Sequence, residues 1–175
     1  TFRVYTNGNA RLEMQDAIQG TGLPLQPVQL SVIQAGTGGF VINGVSAVDQ
    51  SGISVSSAGD VNGDGLDDLI IGAFLDDPNG TDSGASFVVF GKTGTGAVEL
   101  STIEAGTGGF VINGVAANDQ SGISVSSAGD VNGDGLDDLI IGAPFDAPNG
   151  GNSGASFVVF GKTGTGAVEL SDIEA

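Results

Sequence analysis

The stretch DQSGISVSSAGDVNGDGLDDLIIGA, residues 49–73, recurs without a change at residues 119–143. Extended outward, residues 36–105 align with residues 106–175 without a gap at a period of 70, and 62 of the 70 positions are identical. The differences are Ser46/Ala116, Val48/Asn118, Phe74/Pro144, Leu75/Phe145, Asp77/Ala147, Thr81/Gly151, Asp82/Asn152 and Thr102/Asp172. The echo reaches further back, because VQLSVIQA at 28–35 resembles VELSTIEA at 98–105 and VELSDIEA at 168–175. Residues 1–27 match nothing else in the chain. The chain therefore divides into an unmatched arm (1–27), two full repeats (28–97 and 98–167) and the start of a third unit (168–175). Self-similarity at a fixed period marks an architecture built by stacking one supersecondary unit.

Each repeat reads as four short strands, at 39–45, 53–58, 69–73 and 86–90, with counterparts at 109–115, 123–128, 139–143 and 156–160. Asp77-Pro-Asn-Gly80 and Ala147-Pro-Asn-Gly150 supply hairpin-turn chemistry between the last two. Ser101 and Glu104 stand at capping-box spacing, which predicts one helical turn before Gly106. Runs such as Leu69-Ile-Ile71 and Phe87-Val-Val-Phe90 are apolar on both faces and need cover on both. No long amphipathic helix is available, so sheet must stack on sheet. The expected fold is all-β, with small four-stranded sheets covering one another as propeller blades or as steps of a β-solenoid.

Composition narrows the function. The 175 residues include 32 glycines, no Cys, no His and no Trp, and 21 acidic residues stand against 4 basic ones for a formal charge of −17. Without Cys there is no disulfide scaffold, zinc–thiolate site or thiol nucleophile. Without His the commonest general base and metal ligand are missing, and no base is in view to activate a serine. An enzyme is not expected. The negative field disfavours nucleic acid and anionic membranes and favours cations. No apolar run approaches the roughly 20 residues that span a bilayer, so membrane insertion is not expected.

One motif is sharp in its chemistry. Asp60-Val-Asn-Gly-Asp-Gly-Leu-Asp-Asp68 recurs as Asp130–Asp138, with side-chain oxygens at its first, third, fifth and ninth positions and Gly65 or Gly135 at the sixth. A hard cation wants six to eight oxygens, and glycine permits the sharp turn by which one loop surrounds it. The ligands assigned here are Asp60, Asn62, Asp64, the Leu66 carbonyl and Asp68, and then Asp130, Asn132, Asp134, the Leu136 carbonyl and Asp138. Asp67 and Asp137 are read as outer-shell or solvent-facing. Ca²⁺ is preferred to Mg²⁺, at two sites, because an all-protein oxygen cage suits its larger, flexible shell. An EF-hand is excluded, since its twelfth-position Glu is here Ile71 or Ile141 and the chain runs on into LIIGA, a strand.

The segment Gln50–Asp60 with Leu69-Ile-Ile-Gly-Ala-Phe74 resembles an FG-GAP repeat, the blade unit of the integrin α-subunit propeller and of many bacterial surface proteins. The second copy ends in Gly142-Ala-Pro144, matching the family's GAP, while the first has Phe74 for Pro, and Ser51 and Ser121 stand where the family usually has Phe. The resemblance covers roughly residues 28–175. It implies calcium sites in the hairpin between a blade's first two strands, and adhesion or scaffolding in place of catalysis.

The family's blade order implies a sheet of 53–58, 69–73, 86–90 and then 109–115, which leaves 123–128, 139–143 and 156–160 without a fourth strand and 39–45 without a blade. Strand 39–45 of one copy is therefore expected to complete the second blade of a neighbour, head to tail, as ring or filament, with residues 1–27 as a coupling arm. A piece cut from a longer tandem array accounts for the same open ends. Functionally this points to a calcium-binding extracellular or cell-surface structural and adhesive protein whose partner is a further copy of itself. The alternative is a propeller module binding glycans or cell-surface proteins through loops 74–83 and 144–153, where five of the eight repeat differences fall. Asn79-Gly-Thr81 is a glycosylation sequon in the first of these loops.

Overall fold

In each repeat a serine-rich alternating segment precedes an acidic loop and two strands that are apolar at consecutive positions, so the second and third strands need cover on both faces. The computed structural model of the chain describes residues 29–174, and the arm proposed at 1–27 lies outside them. In chain order the elements are α1 (Leu30–Gln34), β1 (Ile42–Asn43), β2 (Ser54–Gly59), β3 (Asp68–Ala73), β4 (Ala85–Val89), β5 (Val98–Glu99) and α2 (Leu100–Glu104). There follow β6 (Gly109–Asn113), β7 (Ser124–Gly129), β8 (Asp138–Ala143), β9 (Ala155–Val159), β10 (Val168–Glu169) and a 3-10 turn at Leu170–Asp172.

The fold is all-β, of propeller-type blades. The first blade has the order β2-β3-β4-β6, with β10 added beyond β6. Its first three strands are antiparallel neighbours, and β6 closes it antiparallel to β4 in the register Ala85↔Asn113, Phe87↔Val111 and Val89↔Gly109. The second blade has β7-β8-β9 and, among the described residues, no fourth strand. This is the strand order expected from the family pattern. The short segments β5 and β10 were not foreseen; they lie parallel to β1 and β6 in equivalent registers, Ile42↔Val98 and Ile112↔Val168.

Two differences from expectation have clear causes. Residues 39–45 and 109–115 are identical in sequence, yet the first forms only the two residues of β1 while the second forms the five of β6. The longer strand has β4 to pair with, and the shorter has no antiparallel partner among the described residues. The helical turn expected before Gly106 is present as α2, but Glu99 is its N-cap and no side chain caps it. Ser101 thus stands inside the helix, two residues too late to serve as a cap.

Between the two blades sits the larger core. It joins Ile70, Val88, Phe110 and Ile112 from the first blade to Val125, Leu139, Ile141, Phe157 and Val159 from the second. A second cluster on the other face of the first blade packs Ile71, Phe87 and Val89 against Leu100 and Ile103 of α2. These are the both-faces-buried strands that the apolar runs required.

Candidate functional site

The acidic nonapeptide occupies the hairpin between β2 and β3, and its copy the hairpin between β7 and β8. A bulge at Ser57–Gly59 turns the chain out of the sheet just ahead of it, and the same bulge recurs at Ser127–Gly129. The Asp60 carboxylate then organises the loop from within. Its Oδ1 accepts the N–H groups of Gly63 and Asp64 at 2.8 and 3.1 Å, and its Oδ2 that of Gly65 at 2.9 Å. Gly65 and Gly135 hold φ of +86° and +91°, a left-handed turn that glycine adopts freely. Asn62 Oδ1 accepts the Asp64 N–H at 2.7 Å, and Asp64 Oδ1 accepts that of Leu66 at 2.9 Å. The second loop repeats the pattern through Asp130, Asn132 and Asp134.

The ninth-position residues sit below, at the first position of β3 and β8. Asp68 is fully buried, with Oδ2 accepting from Val61 N–H at 3.1 Å and Oδ1 from Gly91 N–H at 2.7 Å. Asp138 makes the corresponding bonds with Val131 and Gly161. Burial raises the Asp68 pKa above the ordinary carboxylate range, the charges of Asp64 and Asp60 push the same way, and the two N–H bonds oppose them. Thus each loop brings its first, third and fifth residues together by direct hydrogen bonds, and joins the ninth through the intervening N–H. Among the described residues no three carboxylates are gathered closely enough to grip an ion as they stand. The donor set itself suits a hard cation: three carboxylates and an amide oxygen in a loop with no lysine bonded to it. Lys92 and Lys162 instead donate to the Gly96 and Gly166 carbonyls and lie 4.5 Å over the rings of Phe40 and Phe110.

Asp67 and Asp137, expected to be alike, differ. Asp67 is exposed, whereas the half-buried Asp137 carboxylate accepts the N–H of Asp60 at 2.8 Å and its own N–H returns to the Asp60 carbonyl at 3.2 Å. The two acidic loops are therefore in direct contact. No local signal could have found this, since the residues around Asp67 and Asp137 are the same. The sequon asparagine is also committed: Asn79 Nδ2 donates to the Gly114 carbonyl at 2.8 Å and to Glu169 at 2.9 Å.

A second acidic group, missed in the sequence because its members are distant in the chain, gathers Asp49, Asp76 and Glu104. Burial raises the pKa of Asp76, and the charges of Asp49 and Asp77 add to it; Glu104 is raised by burial and then by Asp76 and Asp49. In the second repeat, burial and the charge of Asp146 raise Asp119, and Asp146 Oδ2 is buried without a hydrogen-bond partner. A carboxyl with an elevated folded pKa stabilises the fold while protonated. That contribution is complete below the ordinary carboxylate range and is lost as pH rises through the elevated value. Asp76→Asn keeps an acceptor for the Asp77 N–H and removes the charge. In chelator it raises the melting temperature by a few degrees near pH 7 and leaves it unchanged near pH 3; equal melting of variant and parent at both pH values shows that this group carries no strain.

Comparison with known proteins bears on these loops. The family described as FG-GAP repeat matches residues 51–89 and 121–168, and each span contains one acidic nonapeptide. Integrin alpha-PS2 of Drosophila melanogaster is 34% identical over 119 residues, 63% of this chain and 8% of that protein. Integrin alpha-5 of Xenopus laevis is 36% identical over 120 residues, 65% of this chain and 10% of that protein. Integrin alpha ina-1 of Caenorhabditis elegans is 46% identical over 57 residues, 31% of this chain and 5% of that protein. The matched segments thus span a tenth or less of these relatives. Among the described residues no helix is long and apolar enough to cross a membrane.

Proposed function

Because the chain belongs to the FG-GAP repeat family, we propose that it is a calcium-stabilised, non-catalytic structural and adhesive module of the cell surface or extracellular space. Its copies add to one another head to tail by strand complementation. The observation that carries this reading is the pairing of β4 with β6. In the first blade β4 pairs with β3 on one edge and with β6 on the other; in the second blade the same sequence, β9, pairs with β8 alone among the described residues. Residues 39–43 have the sequence of β6 and an open antiparallel edge. Shifted by one repeat, the β4–β6 register sets Ala155 against Asn43, Phe157 against Val41 and Val159 against Gly39 of another copy. Main-chain bonds then complete a four-stranded blade, as in β-strand addition generally.

The acidic loops stabilise each blade in this reading. Asp60, Asn62, Asp64, the Leu66 carbonyl and Asp68 are the residues that hold Ca²⁺, with their counterparts at 130–138. When bound there, the ion supplies the positive charge that these crowded carboxylates lack and makes its binding energy part of folding. The chain's own part is to pre-form the loop, through the N–H bonds to Asp60, and to fix Asp68 on a strand. Likeness to integrin α chains supports a protein partner at a cell surface over a glycan. Size-exclusion with light scattering in calcium, with negative-stain microscopy, tests self-association: masses well above 17.1 kDa and extended or ring-shaped particles are expected. A compact monomer at all concentrations overturns it.

A further inference from the structure

We infer that the chain's two exposed end faces are the two halves of one joint, centred on the acidic loops, in which Asp67 of one copy takes the N–H of Asp130 of the next. The inference rests on the self-assembly reading above and adds to it the residues of the contact.

The joint is already made once, inside the chain. Asp60 N–H donates to Asp137 Oδ2 at 2.8 Å, Asp137 N–H to the Asp60 carbonyl at 3.2 Å, and Lys162 N–H to the Val61 carbonyl at 2.8 Å. The contact is close enough that a Cβ added at Gly59 would fall 2.1 Å from the Asp137 carboxylate. Around it the apolar residues of both blades are sealed: Val61, Ile70 and Val88 on the first blade and Leu139 on the second are all 0% exposed, and Val125 is 9%.

Seventy residues away the same side chains are bare. On the outer face of the second blade Val131 is 55% exposed, Ile140 38% and Val158 37%. On the opposite face of the first blade Val55 is 63% exposed, Leu69 36% and Leu66 39%. None of the positions at which the repeats differ is among these residues. Only the presence of an adjoining blade separates the covered set from the bare one. The first blade's bare face also holds an apolar cavity of about 400 Å³, lined by Leu30, Ile33, Phe40, Ile42, Val55 and Ile71. The six equivalent positions one repeat on, Leu100, Ile103, Phe110, Ile112, Val125 and Ile141, are all buried. The cavity is the seat of a blade.

The occupant is a second copy, because the matching half of the contact is this chain's own outer face. Transferred by one repeat, Asp67 accepts the N–H of Asp130 of the neighbouring copy, Asp67 N–H returns to that residue's carbonyl, and Lys92 N–H meets the neighbour's Val131 carbonyl. Val131 and Ile140 of the neighbour then cover Val55 and Leu69, and α1 (Leu30–Gln34) takes the place of the neighbour's equivalent turn at Leu170–Asp172, which is displaced. The two faces differ, so the contact is heterologous and propagates into a ring or a filament. It also brings the acidic loop of each copy against that of the next.

Two exposed-site variants test this, Asp67→Ala on one face and Val131→Lys on the other, followed by sedimentation velocity in calcium. Wild type self-associates, and each variant alone loses at least tenfold in association while melting as the wild-type monomer does. Asp137→Ala, which breaks the internal joint, lowers the melting temperature. A 1:1 mixture of Asp67→Ala with Val131→Lys forms a dimer and nothing longer, since each chain keeps one good face. If wild type assembles and Asp67→Ala assembles equally well, the joint is overturned while self-assembly stands. If wild type is monomeric throughout, both fall.

Discussion

Removing calcium with a chelator lowers the melting temperature by on the order of 10–20 °C. Each site held at about a hundredfold over its dissociation constant contributes about 2.7 kcal/mol, and a kcal/mol moves the melting point of a chain of this size by about 2–4 °C. Two equivalent loops give the stated range. The effect arises because Asp60, Asp64 and Asp68 crowd one hairpin with no lysine bonded to them, and because Asp68 is fully buried. A cation removes a repulsion and a desolvation cost together. Asp64→Ala separates metal binding from folding, since Asp64 is exposed and its acceptor role is confined to the loop. In chelator this variant melts within a few degrees of its parent. In calcium it loses about half of the calcium-dependent rise, and Asp64→Ala with Asp134→Ala loses all of it. Asp68→Ala behaves differently and is destabilised even in chelator, because the N–H groups of Val61 and Gly91 lose their acceptor. Equal melting of the parent in calcium and in chelator overturns the assignment of these loops to calcium.

What the sequence disclosed follows the reach of each interaction. The acidic loop was legible because its bonds run between residues two to five apart, as from Gly65 N–H to Asp60 and from Leu66 N–H to Asp64. The β3–β4 hairpin was legible for the same reason, through Pro78 and the Asn79-Gly80 turn. Blade order was readable only with the family pattern, because β4 and β6 meet across a connection that no local rule determines. Where identical sequence meets different surroundings, local reading has nothing to work with. Gly39–Val45 and Gly109–Val115 cannot be told apart, yet one is a two-residue strand and the other a five-residue strand. Asp67 and Asp137 are likewise indistinguishable in sequence, and so are Leu69 and Leu139, of which one is 36% exposed and the other fully buried. A near-perfect repeat thus isolates the tertiary contribution: residue type and neighbours in the chain are held constant, and only the adjoining blade changes.

The same control makes a phenylalanine pair the most discriminating substitution in the molecule. Phe110 and Phe40 occupy identical sequence positions, and each has a lysine ammonium 4.5 Å over its ring. Phe110 is 0% exposed, belongs to the core between the blades and meets Phe90 edge-on at 6.1 Å, whereas Phe40 is half-buried beside the open cavity. Phe110→Ala empties a sealed site and costs about 3–5 kcal/mol, a large part of the roughly 5–15 kcal/mol that holds a domain together. Phe40→Ala removes a ring that is only partly withdrawn from water, into a space already open, and costs about 1 kcal/mol in the monomer. Denaturant midpoints at low protein concentration read this difference directly, and equal costs there show that position 40 is already packed as position 110 is. Raising the concentration until copies associate then changes only one of the two. A docked neighbour converts the Phe40 site into the equivalent of the Phe110 site, so the cost of Phe40→Ala climbs toward that of Phe110→Ala while the latter stays constant. A Phe40→Ala cost that does not change with concentration in a chain that does assemble places the contact on another surface.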